Sequence, residues 1–309
     1  MQYLKPALDE SKAISAGSVV TFNVACSEVI NNLFIRFVNS GADAAISDIT
    51  AGVDRILLQL KGVDILDCSA QQLVDLYNYL GTKRTGGLVL GATLPLNLGA
   101  QIYDWQGMEN EFAWRCGKSS ETNPSKKIES INVQIFTNSS MANITDVELY
   151  SVRTPVEEDY NGSYIQFNRN PQSYKGTGQS QINTLPKDTN DIMLMAVAYN
   201  GGGTITHGET IYNNDNISRN VSASANTLLN SMSGFGKIDN AYVHNYCTGA
   251  ANSGLLIESS GYQYSVRTTF SKAPTDGYDI CLLKIHNPPA KVIQAVSSNL
   301  LMCLDNMGR

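Results

Sequence analysis

Asp104, Glu109 and Glu111 stand among Trp105, Phe112 and Trp114 in the stretch DWQGMENEFAW. Paired carboxylates beside indole rings are what a glycosidase uses to protonate a leaving group and hold a sugar ring, so Glu109 or Glu111 could serve a sugar-cleaving site. Carboxylates at such spacing are common, and no histidine or second motif joins them. The preferred reading is a loop anchored by Trp105 that leads into a strand whose Phe112 or Trp114 faces a core. The three histidines, His207, His244 and His286, lie far apart, and none has a second histidine at the i+2 or i+4 spacing of cupin or zincin metal sites. His207-Gly208-Glu209 offers two ligands at most, and a turn or surface histidine is expected there. Glu157-Glu158-Asp159 would attract calcium but lacks the alternating ligand spacing of a dedicated site. GxSxG, P-loop and GxGxxG motifs are all missing, and Gly201-Gly202-Gly203 runs from strand to strand, as a hairpin turn and not a phosphate cradle. No catalytic residue, cofactor site or metal site is assigned, and the chain is not expected to be an enzyme.

Composition narrows the classes further. The 309 residues carry a net charge of −6, and only 16% are charged, against about 25% in ordinary soluble domains. A polar but weakly charged surface suits broad contact with copies of itself, because repulsion between neighbours is small. The densest cationic groups are Lys83-Arg84 and Lys126-Lys127, too sparse for a phosphate backbone, so direct nucleic-acid binding is not expected. The start, MQYLKPALDE, has a proline and two acids where a secretory signal needs an apolar core, and no apolar run reaches the roughly 18 residues of a membrane span. A soluble, intracellular chain is therefore expected. In a reducing compartment Cys26, Cys68, Cys116, Cys247, Cys281 and Cys303, which form no CxxC pair, read as small buried apolar residues. The sequons at Asn138, Asn143, Asn161, Asn216 and Asn220 read as products of an Asn-rich composition.

What must position these residues is mostly β-strand. Residues 18–24 and 32–38 are β-branched and aromatic with polar residues interleaved, and Ile131, Val133 and Ile135 alternate with Asn132 and Gln134 as a half-buried strand should. Further strands are expected at 54–60, 87–96, 111–116, 128–137 and 144–153. The second half adds 163–167, 191–199, 203–212, 240–247, 254–258, 262–270 and 278–285. A helix is expected from Ser69, its N-cap, through Leu73, Leu76, Tyr77 and Leu80 to Gly81. Val221, Ala225, Leu228, Leu229 and Met232 give a second, weaker apolar stripe, and Val292, Ile293, Val296, Leu300, Cys303, Leu304 and Met307 a third, after Pro288-Pro289. Thus 53–81 and 203–236 share one plan, strand-like sequence leading into one helix. The expected architecture is all-β, two tandem jelly-roll β-barrels each with a short accessory helix. The divisions are an N-terminal arm at 1–17, a first jelly roll at 18–154, a linker at 155–162, a second jelly roll at 163–290 and a C-terminal, helical segment at 291–309.

The order of elements resembles that of the double-jelly-roll major capsid proteins of tailless, membrane-containing icosahedral bacteriophages, the corticovirus and finnlakevirus type. Ala16-Gly17-Ser18 entering the first strand, 53–60 before the turn at Lys61-Gly62, the helix at 69–80, strand 191–199, the Gly-rich turn and the helix near 222–232 carry it. The likeness covers nearly the whole chain and is one of pattern and length. It implies a structural virion protein whose homotrimers, two upright barrels per subunit, make pseudo-hexagonal blocks that tile an icosahedral shell around an internal lipid membrane. Its implied partners are further copies of itself, vertex and minor capsid proteins and the membrane, with assembly in the bacterial host's cytoplasm. Calcium bridging subunits has no support in the residues. Two other classes stay open, a carbohydrate-binding β-sandwich such as a phage spike or lectin, using Trp105, Trp114 and the tyrosines, and a jelly-roll glycosidase.

Overall fold

A computed structural model describes residues 5–26, 28–81, 91–98, 128, 130–154, 162–182, 191–212, 216–246, 255–256 and 264–288. The Asp104–Trp114 cluster, both dibasic pairs, the expected strand at 111–116, the acidic run at 157–159 and the segment 291–309 lie outside them. Backbone contacts divide the chain into two compact units: Met1–Tyr77 with Gly86–Asn168, and Asn78–Thr85 with Arg169–Arg309. The second boundary falls between Asn168 and Arg169.

Unit 1 contains β1 (Lys5–Ala13), β2 (Val19–Ala25), β3 (Val29–Asn39), β4 (Ala42–Asp43), α1 (Ile46–Gly52), β5 (Val53–Leu60) and β6 (Val63–Cys68). It continues with most of α2 (Ala70–Gly81), β7 (Thr93–Pro95), β8 (Ser130–Thr137), β9 (Asp146–Thr154) and the first half of β10 (Tyr164–Gln172). One sheet runs β1-β9-β3-β4, with β7 also on β3; the other runs β10-β6-β5-β8-β2. Period-two alternation makes each sheet one-sided. Ile131, Val133 and Ile135 are fully buried beside Phe22, Ile56 and Leu58, while the first sheet contributes Leu33, Ile35, Phe37, Val147 and Leu149. All pairings here are antiparallel except β10 on β6, which is parallel through Phe167↔Leu66 and Asn168↔Asp67.

Local chemistry sets the turns and caps. Between β5 and β6, Lys61 and Gly62 both have positive φ, 51° and 78°, the mirror-image turn whose twist matches a two-residue hairpin. At the start of α2 the Gln72 amide donates to Ser69 Oγ (3.1 Å) and the Ser69 amide to Gln72 Oε1 (2.9 Å), a reciprocal capping box. The helix buries Leu73, Leu76 and Tyr77, whose hydroxyl donates to the Pro95 carbonyl at 2.9 Å.

Residues 5–13, inside the expected N-terminal arm, form strand β1, antiparallel to β9 from Lys5↔Arg153 to Ala13↔Asp146 with a bulge at Leu8/Glu10. KPALDESKA has no apolar alternation to announce a strand. The ladder, the Arg153–Asp9 ion pair and Lys12, which donates to the Thr21 carbonyl at 2.6 Å, hold it.

Unit 2 holds the end of β10 and β11 (Gly178–Ile182), β12 (Ile192–Tyr199), β13 (Thr204–Tyr212), β14 (Asn216–Ser222), α3 (Ala223–Met232), β15 (Ala241–Asn245), β16 (Leu255–Leu256), β17 (Tyr264–Lys272) and β18 (Tyr278–His286). Its sheets are β15-β12-β18-β10, with β16 on β12, and β11-β17-β13-β14. Met193, Ala196, Ala198, Tyr242, Ile280 and Leu282 of the first sheet pack with Val266 and Phe270 of the second. Tyr242 also ties them by hydrogen bonds, its hydroxyl donating to the Val221 carbonyl at 3.0 Å. The Gly201–Gly203 turn is not a hairpin. Strand β12 pairs with β15, β16 and β18 while β13 pairs with β14 and β17, so the glycines carry the chain from one sheet to the other. The shared plan is real and more specific than expected: a two-stranded antiparallel ladder followed at once by a helix, β5-β6-α2 in one unit and β13-β14-α3 in the other.

Tyr278 supplies a pH-dependent term. Burial, partly offset by the hydrogen bond that its hydroxyl donates to Ser180 Oγ at 2.8 Å, raises its pKa above the ordinary value of 10. A raised folded-state value means that this contribution is fully present below pH 10 and is lost as pH climbs through the higher folded value. Denaturant melts of Tyr278→Phe should therefore show a flatter decline above pH 10 than wild type. At neutral pH the variant should be less stable by about 1 kcal/mol, from the lost hydrogen bond. An unchanged alkaline slope would remove Tyr278 as its source.

Candidate functional site

Among the described residues, those with chemical potential do not gather into a metal-binding group. His207 is exposed on β13, while Glu209, two residues on, is buried and accepts from Arg267 Nη1 at 2.8 Å, so the two do not form a ligand pair. His244 is buried on β15, its ring tilted against Tyr242 at 4.6 Å and its Nδ1 3.5 Å from Thr210 Oγ1. His286 Nδ1 sits 2.9 Å from Asp191 Oδ1, and Lys284 Nζ donates to Asp191 Oδ2 at 2.8 Å. This buried Asp191–Lys284 pair was invisible in the sequence, since its members are 93 positions apart and neither belongs to a motif. Among the described residues no group of three or more His, Cys, Asp or Glu is arranged to hold a metal ion. Cys68 and Cys281 are buried and Cys26 is half-buried, whereas Cys116, Cys247 and Cys303 lie outside the described residues.

Surfaces are more informative than these residues. On the outer face of unit 1's second sheet, Asn23, Asn132, Gln59 and Asp64 stand in register across β2, β8, β5 and β6. Asn132 Nδ2 donates to Asn23 Oδ1 (2.7 Å), and Gln59 Nε2 to Asp64 Oδ1 (2.6 Å). From β10, Gln166 Nε2 and Asn168 Nδ2 both donate to the Asp64 carbonyl, at 2.6 and 3.0 Å. Charge on this face is largely neutralised in place: Arg55 makes a two-pronged contact with Asp67 at 2.7 and 3.0 Å and lies 5.3 Å over the Phe136 ring. Asp67 thereby raises the Arg55 pKa. Across the first sheet, Arg36 bonds Asp43 (2.7 Å) and Glu148 (2.9 Å), which raise its pKa, with Asp43 the larger cause. Tyr150 donates to the same Glu148 at 2.8 Å and its pKa is raised by that bond. The result is a broad sheet face rich in amides and poor in unpaired charge.

Helix α3 turns its amides inward and its apolar stripe outward. Ser222 caps it, accepting from the Ala225 amide at 3.3 Å. Asn226 and Asn230, each 3% exposed, form the buried side, with Asn226 Nδ2 donating to the Val243 carbonyl at 2.8 Å. Leu228, Leu229 and Met232 of the predicted stripe point outward, at 61%, 42% and 76% exposure. The buried backbone of β15 needs a donor at this position, and an amide can supply one where leucine cannot. The i, i+4 spacing of Asn226 and Asn230 was the available sign.

No protein-family model matches the chain, and no curated protein matches it. Solved structures match over nearly its full length. The major capsid protein of bacteriophage PM2 superposes with a TM-score of 0.71 at 9% identity, covering 94% of this chain and 99% of that one. The Sulfolobus turreted icosahedral virus structure gives 0.66 at 13% identity, covering 97% of both chains. The PBCV-1 virus capsid gives 0.54 at 9% identity, covering 92% of this chain and 95% of that one. The likeness establishes the fold, an all-β double jelly roll.

Proposed function

We propose that this chain, a double jelly roll throughout, is the major capsid protein of an icosahedral virion, assembling as pseudo-hexagonal homotrimers that tile a shell around an internal lipid membrane. The observation that supports this most is that the fold matches those structures over 92–97% of this chain and 95–99% of theirs. The physics of the surface agrees. Repeated contacts between identical blocks build closed assemblies. With only 16% charged residues, copies that each carry −6 can approach through faces such as the amide rows of unit 1.

On this reading two barrels per subunit turn a three-fold ring into an approximate six-fold block. The partners are further copies, vertex and minor capsid proteins and the membrane, and the acidic balance leaves the genome to be held by other components. Assembly takes place in the cytoplasm of the bacterial host, and no catalytic residue or cofactor takes part. Light scattering on the purified protein tests the reading. The expected mass is about 100 kDa, three times that of the 33.5 kDa chain, with larger assemblies at high concentration.

A further inference from the structure

We infer that the outward apolar face of α3 is a contact surface for a second copy of this chain. The inference rests on the shell-protein reading and names one of its surfaces. Leu228, Leu229 and Met232 share one side of the helix, at spacings of three and four, and are the exposed ones. The helix cannot simply roll to bury them, because Asn226 on the opposite side is committed to the Val243 carbonyl. The fold thus keeps hydrogen-bonding amides inside and leucine and methionine outside, the reverse of a solvated helix. Beside this ridge lies a recess of about 420 Å³ lined by Ala223, Ser224 and Thr227 of the helix with Ile205 and Ile238. Together they offer a ridge and a groove.

Charge decides the occupant. From Ser222 to Phe235 there is no Asp, Glu, Lys or Arg. A helix lying on a lipid surface carries Lys or Arg along its polar side, and the nearby Lys237 is engaged with Asp239 at 2.6 Å. A strongly charged partner would likewise meet no counter-charge. What complements α3 is an uncharged, amide-rich surface with scattered apolar residues. Unit 1 of another copy presents one: the Asn23–Asn132–Gln59 row, with Val19, 53% exposed, on the same side of β2 as Asn23. Joining one patch to a different patch on the next copy is a heterologous contact, the type that closes rings.

The test is the double substitution Leu228→Glu and Met232→Glu, followed by light scattering across a concentration series. Both side chains are exposed, so circular dichroism should be unchanged, while association weakens at least tenfold. Hydrogen exchange on the wild type gives a second reading that needs no variant: amides of 223–232 should slow as the protein assembles from dilute solution. A wild type that assembles, with a folded variant assembling at the same concentration or with α3 exchange unchanged, overturns this inference and leaves the shell reading standing. So does α3 protection that appears only with phosphatidylglycerol–phosphatidylcholine vesicles. A wild type that never associates overturns the shell reading itself.

Discussion

Replacing Asp191 with asparagine should destabilise unit 2 by about 3–5 kcal/mol, because it removes a fully buried carboxylate that pairs with the buried Lys284 ammonium. The carboxylate is fully buried and the Lys284 side chain is 6% exposed, so water cannot take over the role of the missing charge. The Lys284 Nζ–Asp191 Oδ2 bond, 2.8 Å long, also ties the entry of β12 to the end of β18, two neighbours in the same sheet. Asparagine keeps the shape and one acceptor, which isolates the loss to charge. Thermal melts should shift downward on the order of 10 °C for a unit of this size. The double variant Asp191→Leu with Lys284→Met should recover most of the loss, since a buried ion pair replaced by apolar residues of similar volume is often close to neutral. If the single variant melts within 1 °C of wild type, the pair does not carry the buried charge described.

The second large effect is expected at Gly201. Its φ of 54° lies in the left-handed region, and a Cβ there would fall 1.9 Å from the Gly277 carbonyl oxygen. Gly277 is itself confined, at φ 90°, where a Cβ would meet the Gln172 carbonyl at 2.2 Å. The Thr275 amide donates to the Gly201 carbonyl at 2.9 Å, so three chain segments interlock where the chain passes between the sheets of unit 2. The obstacles are backbone atoms, which cannot swing away as a side-chain tip can. Gly201→Ala should cost roughly 2–4 kcal/mol, about 1 from the backbone conformation and the rest from displacement of the neighbouring turn. Gly62→Ala is the comparison: at φ 78° it bears similar strain but has open space around the new Cβ, so about 1 kcal/mol is expected. Equal denaturation midpoints for the two variants would contradict the close approach.

Strands with one buried face were legible from residue order alone, as Ile131, Val133 and Ile135 demonstrate by lying at 0% exposure. The Ser69 cap was legible for the same reason, because capping is local chemistry. Strand β1 was not: KPALDESKA has no apolar alternation and pairs with β9, a partner more than 130 positions away. Strand β14, NISRNVS, was hidden in the same way. For α3 the periodicity was legible and the direction was not. A stripe says that one face differs from the other, and only the Asn226–Val243 bond reveals which face the fold buries. The candidate surface was legible only in outline. Low charge and abundant asparagine pointed to contact between copies, while the register that lines up Asn23, Asn132 and Gln59 depends on pairing across three strands.

The molecular mass of the purified protein in solution tests the central claim most directly. Measured by light scattering over a range of concentration and salt, it should settle at three copies of the 33.5 kDa chain, with six-sided outlines in electron micrographs of the same sample. A strictly monomeric species under every condition would contradict the assignment of this double jelly roll to a viral shell.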